Sequence, residues 1–125
     1  MILLFYPADF SPVCGDEVSL YNEILPEFKT FNAEVIGISV DNVWCHLAFS
    51  KHKKLRFPLL SNFQPNDNAT EKYGVYRKDD GVAEIALFLV YRDGIIRYSL
   101  FRQYVLTRVD GTLKVLEVLP QDQRQ

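Results

Sequence analysis

Two stretches, ILLFY at 2–6 and EVIGISV at 34–40, are apolar at nearly every position. A strand with one face in water alternates apolar and polar residues, whereas a strand buried on both faces does not. Both runs therefore read as strands inside a sheet that is covered above and below. Between them PADFSP gives a turn and a helix-start signal, and Val18, Tyr21, Ile24, Leu25 and Phe28 follow as a helical stripe. Strand, helix and strand in that order make a parallel crossover. Ser11 is placed to cap the helix and Pro12 suits its first position. Pro26, inside the stripe, predicts a kink or break.

The pattern continues. DNVWCHLAFSKH (41–52) predicts a helix capped by Asp41 or Asn42, with Trp44, Leu47 and Ala48 on one face. FPLLS (57–61) reads as a short strand and NATEKYG (68–74) as a short helix ending at Gly74. AEIALFLVY (83–91), RDG (92–94) and IIRYSLF (95–101) form a β-hairpin with an Asp-Gly turn. TRVDGTLKVLEVL (107–119) reads as an amphipathic helix interrupted by Gly111 and stopped by Pro120. One domain over 1–120 and a polar tail over 121–125 are expected. The order β-α-β-α-β-α-β-β-α suits an α/β, thioredoxin-like fold, a mixed β-sheet flanked by helices on both faces.

A formal net charge of −2 and the lack of a basic run argue against nucleic-acid binding. No segment is long enough to cross a bilayer, and MILLFY lacks the charged region and cleavage site of a signal peptide. Two cysteines are too few for a disulfide framework or a structural zinc site, so a reducing, cytoplasmic setting is expected.

Cys14 is the informative one. With Ser11 as cap it is the third helical residue, near unpaired N–H groups and the positive end of the helix dipole. Both favour the thiolate, which is the nucleophilic form. Physics alone leaves two readings level, a reactive thiol and a small apolar filler at a strand–helix junction.

PADFSPVC has the form Pro-x-x-x-Ser/Thr-x-x-Cys, which resembles the active-site signature of the peroxiredoxins (AhpC/TSA family). FYPADFSPVCGDE, LPEF, VIGISVD, FPLLS, YGVY and RDGIIR are similar to segments of that family in family order, over roughly residues 2 to 100. The bacterioferritin-comigratory (Q-type) and one-cysteine bacterial branches look nearest. The resemblance implies a thiol-dependent peroxidase acting on hydrogen peroxide or alkyl hydroperoxides. It makes Cys14 the peroxidatic cysteine that forms a sulfenic acid, Ser11 a hydrogen-bonding partner of the peroxide, and Pro7 a shield of the thiolate. Glu17 matches an acidic residue that orients an arginine in relatives; its plain alternative is a first-turn acid favoured by the helix dipole.

Two departures stand out. The family arginine falls on Ile85, with Leu87 at the Thr position and Phe88 retained. Losing it should raise the Cys14 pKa and weaken charge stabilisation, a loss of roughly 10²–10³ in rate when one such donor is removed elsewhere. Arg77, Arg92, Arg97 and Arg102 are the nearby replacements, each more simply read as a surface charge. The second departure is at Ser19, where many Q-type relatives keep a resolving cysteine. Cys45 is then the internal candidate for resolution, with a buried structural thiol or an external partner as alternatives. His46 reads as a satisfied or solvent-tipped histidine rather than a catalytic one, and His46 and His52 do not make a metal site.

Relatives carry several tens of residues before the first strand, so an uncovered edge and a homo-oligomer are expected here. No cofactor is implied; the partners expected are a peroxide and a thioredoxin-like or low-molecular-weight thiol. The rival readings are a degenerate, non-catalytic redox-sensing or binding module, favoured by Ile85, and a disulfide reductase, disfavoured because Glu17 stands where a Cys-x-x-Cys motif needs its second cysteine.

Overall fold

The computed structural model describes residues 1–61, 72–77, 81–83, 85–91 and 93–101, without the side chains of residues 12–15, 17, 76, 100 and 101. The elements are β1 (Ile2–Phe5), α1 (Pro12–Glu23), α2 (Leu25–Thr30), β2 (Val35–Ser39), α3 (Val43–Lys53), β3 (Leu59–Ser61), β4 (Tyr76–Arg77), β5 (Val82–Ala83), β6 (Ala86–Val90) and β7 (Ile96–Phe101). Five strands form one sheet in the order β3-β2-β1-β6-β7, and β4 and β5 form a separate pair. The parallel half (β1 with β2, β2 with β3) and the antiparallel half (β1 with β6, β6 with β7) meet at β1.

The two-faced apolar run explains this position. Ile2, Leu4 and Tyr6 join one core cluster with Val18 and Tyr21 of α1, Leu25 and Phe28 of α2, Phe49 of α3, and Leu87 and Leu89 of β6. Leu3 and Phe5 join a second cluster with Ile38, Val75, Ala83, Ala86 and Phe88. Among the described residues the helices supply only the first cluster; Tyr73, Val75 and Ala83 cover the other face. The expected helix over 107–119, the tail over 121–125 and most of the expected helix over 68–74 lie outside the described residues.

Pro26 acts as the pattern predicts. α1 stops at Glu23, and α2 starts at Leu25 with the proline in its first two positions, where its missing N–H costs nothing. The stripe survives the break because Val18, Tyr21, Leu25 and Phe28 are all buried. The hairpin turn also forms, with Gly94 at φ 79° and its N–H donating to the Tyr91 carbonyl. The structure departs from a single strand over 83–91: Ala83 pairs with Tyr76 in the separate β4–β5 ladder, and β6 starts only at Ala86.

One face is corrected. On α3, Trp44 is 75% exposed and Leu47 48%, and Ala48 is exposed too; the buried residues are His46 and Phe49. Position i and i+3 share a helix face, and the inward face here is chosen by a histidine whose two ring nitrogens both find partners.

Candidate active site

Parallel strands deliver their following loops to one rim of a sheet. The β1–α1 connection carries Pro7, Asp9 and Ser11, and Cys14 is the third residue of α1. The β2–α3 connection carries Asp41 and Asn42, and Cys45 is the third residue of α3. Asn42 caps α3: its Oδ1 accepts the Cys45 backbone N–H at 2.9 Å. Glu17 falls one turn further along α1. Because β6 runs antiparallel to β1 with Ala86 opposite Phe5, Ile85 reaches the same rim. The rim thus gathers Pro7, Ser11, Cys14, Cys45 and Ile85, though the side chains of Cys14 and Glu17 lie outside the described residues.

Polar groups that sequence reasoning did not connect hold the two loops together. Tyr6 Oη donates to Asp9 Oδ1 at 2.6 Å, and His46 Nδ1 lies 2.7 Å from Asp9 Oδ2. His46 Nε2 lies 3.1 Å from the Leu60 carbonyl on β3. The Asp9 backbone N–H donates to Asp41 Oδ2 at 2.8 Å, and Ser39 Oγ donates to the same oxygen at 2.5 Å. Ser61 Oγ donates to the Asp41 carbonyl at 2.5 Å. Tyr6, Asp9, Ser39 and His46 are all buried, so this network is made largely out of reach of water, where such bonds are strongest and an unpaired group is costliest.

The network sets charge states. Burial pushes the His46 imidazole down, but the Asp9 hydrogen bond and charge, the Leu60 carbonyl and Asp41 outweigh it and raise its pKa. Burial and the Asp9 hydrogen bond push the Tyr6 phenol well up, so it stays a donor. Burial, with the Asp41 and Asp9 carboxylates, pushes the Cys45 thiol from 9.0 up to about 11, and Cys45 Sγ donates to Asp41 Oδ1 at 3.7 Å. Ligand-type atoms of Asp9, Asp41 and Cys45 lie within 4.8 Å of one another. Their carboxylate oxygens are already engaged by Tyr6, His46, Ser39, Cys45 and the Asp9 N–H, so the cluster is satisfied within the protein.

Ile85 packs against the first core cluster, the one that α1 helps to build. An apolar side chain is therefore seated at the position where the family resemblance leads one to expect an arginine. Arg97 is no replacement. It sits by the β6–β7 turn at the opposite rim, bonded to Asp93 at 2.8 Å and lying over the Tyr91 ring. Arg77 is in β4, and Arg92 and Arg102 lie outside the described residues.

A signal for the missed pair was present. Asp9 and Asp41 each follow a two-face buried run by a few residues, which sends both to the same rim, and His46 lies one turn into the helix that Asp41 precedes.

A mixed sheet with a cysteine in the first turn of the helix after its central strand is the arrangement of the thioredoxin-like thiol proteins. The AhpC/TSA family model matches residues 1–99, and the chain belongs to that family. The 2-Cys peroxiredoxin BAS1 of Hordeum vulgare is 34% identical over 127 residues, covering 95% of this chain and 60% of that protein. Peroxiredoxin-1 of Gallus gallus is 34% identical over 94% of this chain and 62% of its own length. Against the Spinacia oleracea BAS1 protein the chain spans 47% of the relative. Among solved structures, Xanthomonas campestris peroxiredoxin Q matches with a TM-score of 0.82 and 28% identity, covering 93% of this chain and 76% of that one. Peroxidoxin BcpB of Mycobacterium tuberculosis matches in fold, with a TM-score of 0.86 at 24% identity over 95% of this chain and 79% of that one. The Q-type likeness expected from the sequence has its counterpart in these neighbours.

Proposed function

We infer that the protein is a thiol-dependent peroxidase that reduces hydrogen peroxide or alkyl hydroperoxides. The observation that carries this is the membership of the AhpC/TSA family together with a cysteine in the first turn of α1. Unpaired N–H groups and the helix dipole there favour a thiolate. The Cys14 thiolate attacks one peroxide oxygen, the O–O bond breaks, and the departing oxygen takes a proton to leave as water or alcohol. Sulfur is oxidised to sulfenic acid as the peroxide is reduced. Ser11 would hydrogen-bond the peroxide, Pro7 would keep water off the sulfur, and Glu17 would support the site from the next turn.

A thiol then condenses with the sulfenic acid, giving a disulfide and water, and an external dithiol restores both sulfurs. Cys45 stands at the same rim, but its thiol is held protonated beside Asp41 and so is a poor nucleophile at neutral pH. This favours an external thioredoxin-like or low-molecular-weight thiol as resolving partner, in a reducing, cytoplasmic setting. Among the described residues no helix is long and apolar enough to cross a membrane. Ile85 in place of the family arginine lowers the expected rate without removing the nucleophile. Self-association through a sheet edge, β3 or β7 among the described strands, is part of the same reading; a monodisperse monomer at high concentration would contradict it.

The test is to mix reduced protein with one equivalent of hydrogen peroxide and follow intact mass and free thiols. A gain of one oxygen on Cys14 means external resolution; loss of both thiols within one monomer means Cys45 resolves. If Cys14 reacts no faster than free cysteine, the peroxidase reading fails and a non-catalytic module takes its place.

A further inference from the structure

The loop that leads into α1 is locked from outside itself. Asp9 sits between Pro7 and Ser11, and all its polar atoms that face the interior are engaged: Oδ1 by Tyr6, Oδ2 by His46, the backbone N–H by Asp41. The next residue, Phe10, is held at φ 63°, a left-handed conformation costly for a side chain of its size, with its ring against Phe49 and His52. A loop held in a costly conformation needs an external restraint, and the Asp9 bonds supply one.

We propose that Asp9 and His46 are positioning residues: their contact clamps the Pro7–Ser11 loop to α3, and the reactivity of Cys14 follows the protonation of His46. This rests on the peroxidase reading for its purpose but not for its geometry. The Leu60 carbonyl and the Asp9 carboxylate oxygen can both only accept, so the ring donates to both at once only as the doubly protonated imidazolium. A neutral ring has one N–H for these two acceptors, so loss of the proton leaves a nitrogen lone pair facing either the Asp9 carboxylate at 2.7 Å or the Leu60 carbonyl at 3.1 Å. Either way the three-part contact between the Pro7–Ser11 loop, α3 and β3 loses its charge and one of its bonds, and the hold on the loop before Cys14 weakens. The groups facing His46 are Asp9 from the β1–α1 loop, Asp41 from the β2–α3 loop, the Leu60 carbonyl from β3, and Cys45 beside it on α3.

The experiment measures Cys14 alkylation by iodoacetamide and Cys14 oxidation by hydrogen peroxide in the full chain, resolved from Cys45 by peptide mapping, from pH 6 to 10. It is run on wild type, His46→Gln, Asp9→Asn and Tyr6→Phe, with the His46 imidazole titrated by NMR in the wild type. After correction for thiolate fraction, the wild-type rate should fall as His46 deprotonates. His46→Gln and Asp9→Asn should remove that step and slow Cys14 about tenfold to a hundredfold at neutral pH, the scale on which a misplacement of about 1 Å acts. Tyr6→Phe, which keeps the His46 contact, should keep the step. A lower melting temperature in His46→Gln with an unchanged Cys14 profile overturns the proposal. So does a wild-type step whose midpoint differs from that of His46, which decides the matter even if the variants do not fold. Fast peroxide oxidation without the step removes the clamp and leaves the peroxidase; slow peroxide oxidation with a His46-linked alkylation step does the reverse.

Discussion

Asp9 and His46 are 37 residues apart in the chain, yet their side chains meet at 2.7 Å in the interior, one from a loop and one from a helix. Removing either partner leaves the other buried without its counterpart. His46→Ala should therefore destabilise the fold by about 3–5 kcal/mol in urea denaturation, the usual cost of breaking a buried charged pair. A loss below about 1 kcal/mol would mean that water replaces the imidazole.

The same contact fixes a pH dependence. The folded-state pKa of His46 lies above its ordinary value of 6.5. The stabilisation it gives is thus fully present below 6.5 and is lost as pH rises through the raised value. The difference in unfolding free energy between wild type and His46→Gln should shrink across that window. A difference that stays flat or grows with pH would contradict the assignment.

Cys45 should resist alkylation. With its pKa pushed up to about 11, roughly one thiol in a thousand is ionised at pH 8. Asp41→Asn removes a facing carboxylate and should move the alkylation profile toward lower pH. Because the folded-state value lies above the ordinary 9.0, this thiol adds stability that is intact below pH 9 and lost between 9 and 11.

Gly37 is constrained by its neighbour strand. A Cβ there would lie 2.6 Å from Leu59 Cδ2, with Tyr6 and Phe57 at 3.4 and 3.5 Å. Gly37→Ala should cost about 1–3 kcal/mol, as overpacked sites do. Leu59→Val in the same chain should recover part of that loss in a thermal melt, since the obstructing atom is the end of a side chain.

The outer and inner faces of α3 should differ sharply. Trp44→Ala should change stability by no more than about 0.5 kcal/mol, as expected of an exposed position. Phe49→Ala should cost about 3–5 kcal/mol. Equal losses would mean that the helix is rotated.

These two residues also mark where sequence reading stops. Apolar runs, the proline break and the Asp-Gly turn act locally, so ILLFY, LPEF and RDG disclosed their elements directly. The face of α3 was not local. Reading Trp44 and Leu47 as inward follows hydrophobicity, but His46 is drawn inward by Asp9 and the Leu60 carbonyl, which come from other parts of the chain. The raised pKa of Cys45 is hidden for the same reason, because it depends on burial and on Asp41 and Asp9 converging after folding. Pro7, Ser11 and Cys14 stand out as candidates because they share one short motif, and Ile85 because it breaks the expected pattern.

The place of β1 between β2 and β6 has a consequence for biosynthesis. Its antiparallel neighbour begins at Ala86, roughly eighty residues after Phe5 leaves the ribosome. At about 5–20 residues per second, Ile2–Phe5 spends several seconds with one hydrogen-bonding edge open. During that interval the nascent chain offers a strongly apolar strand edge to any other unpaired strand it meets.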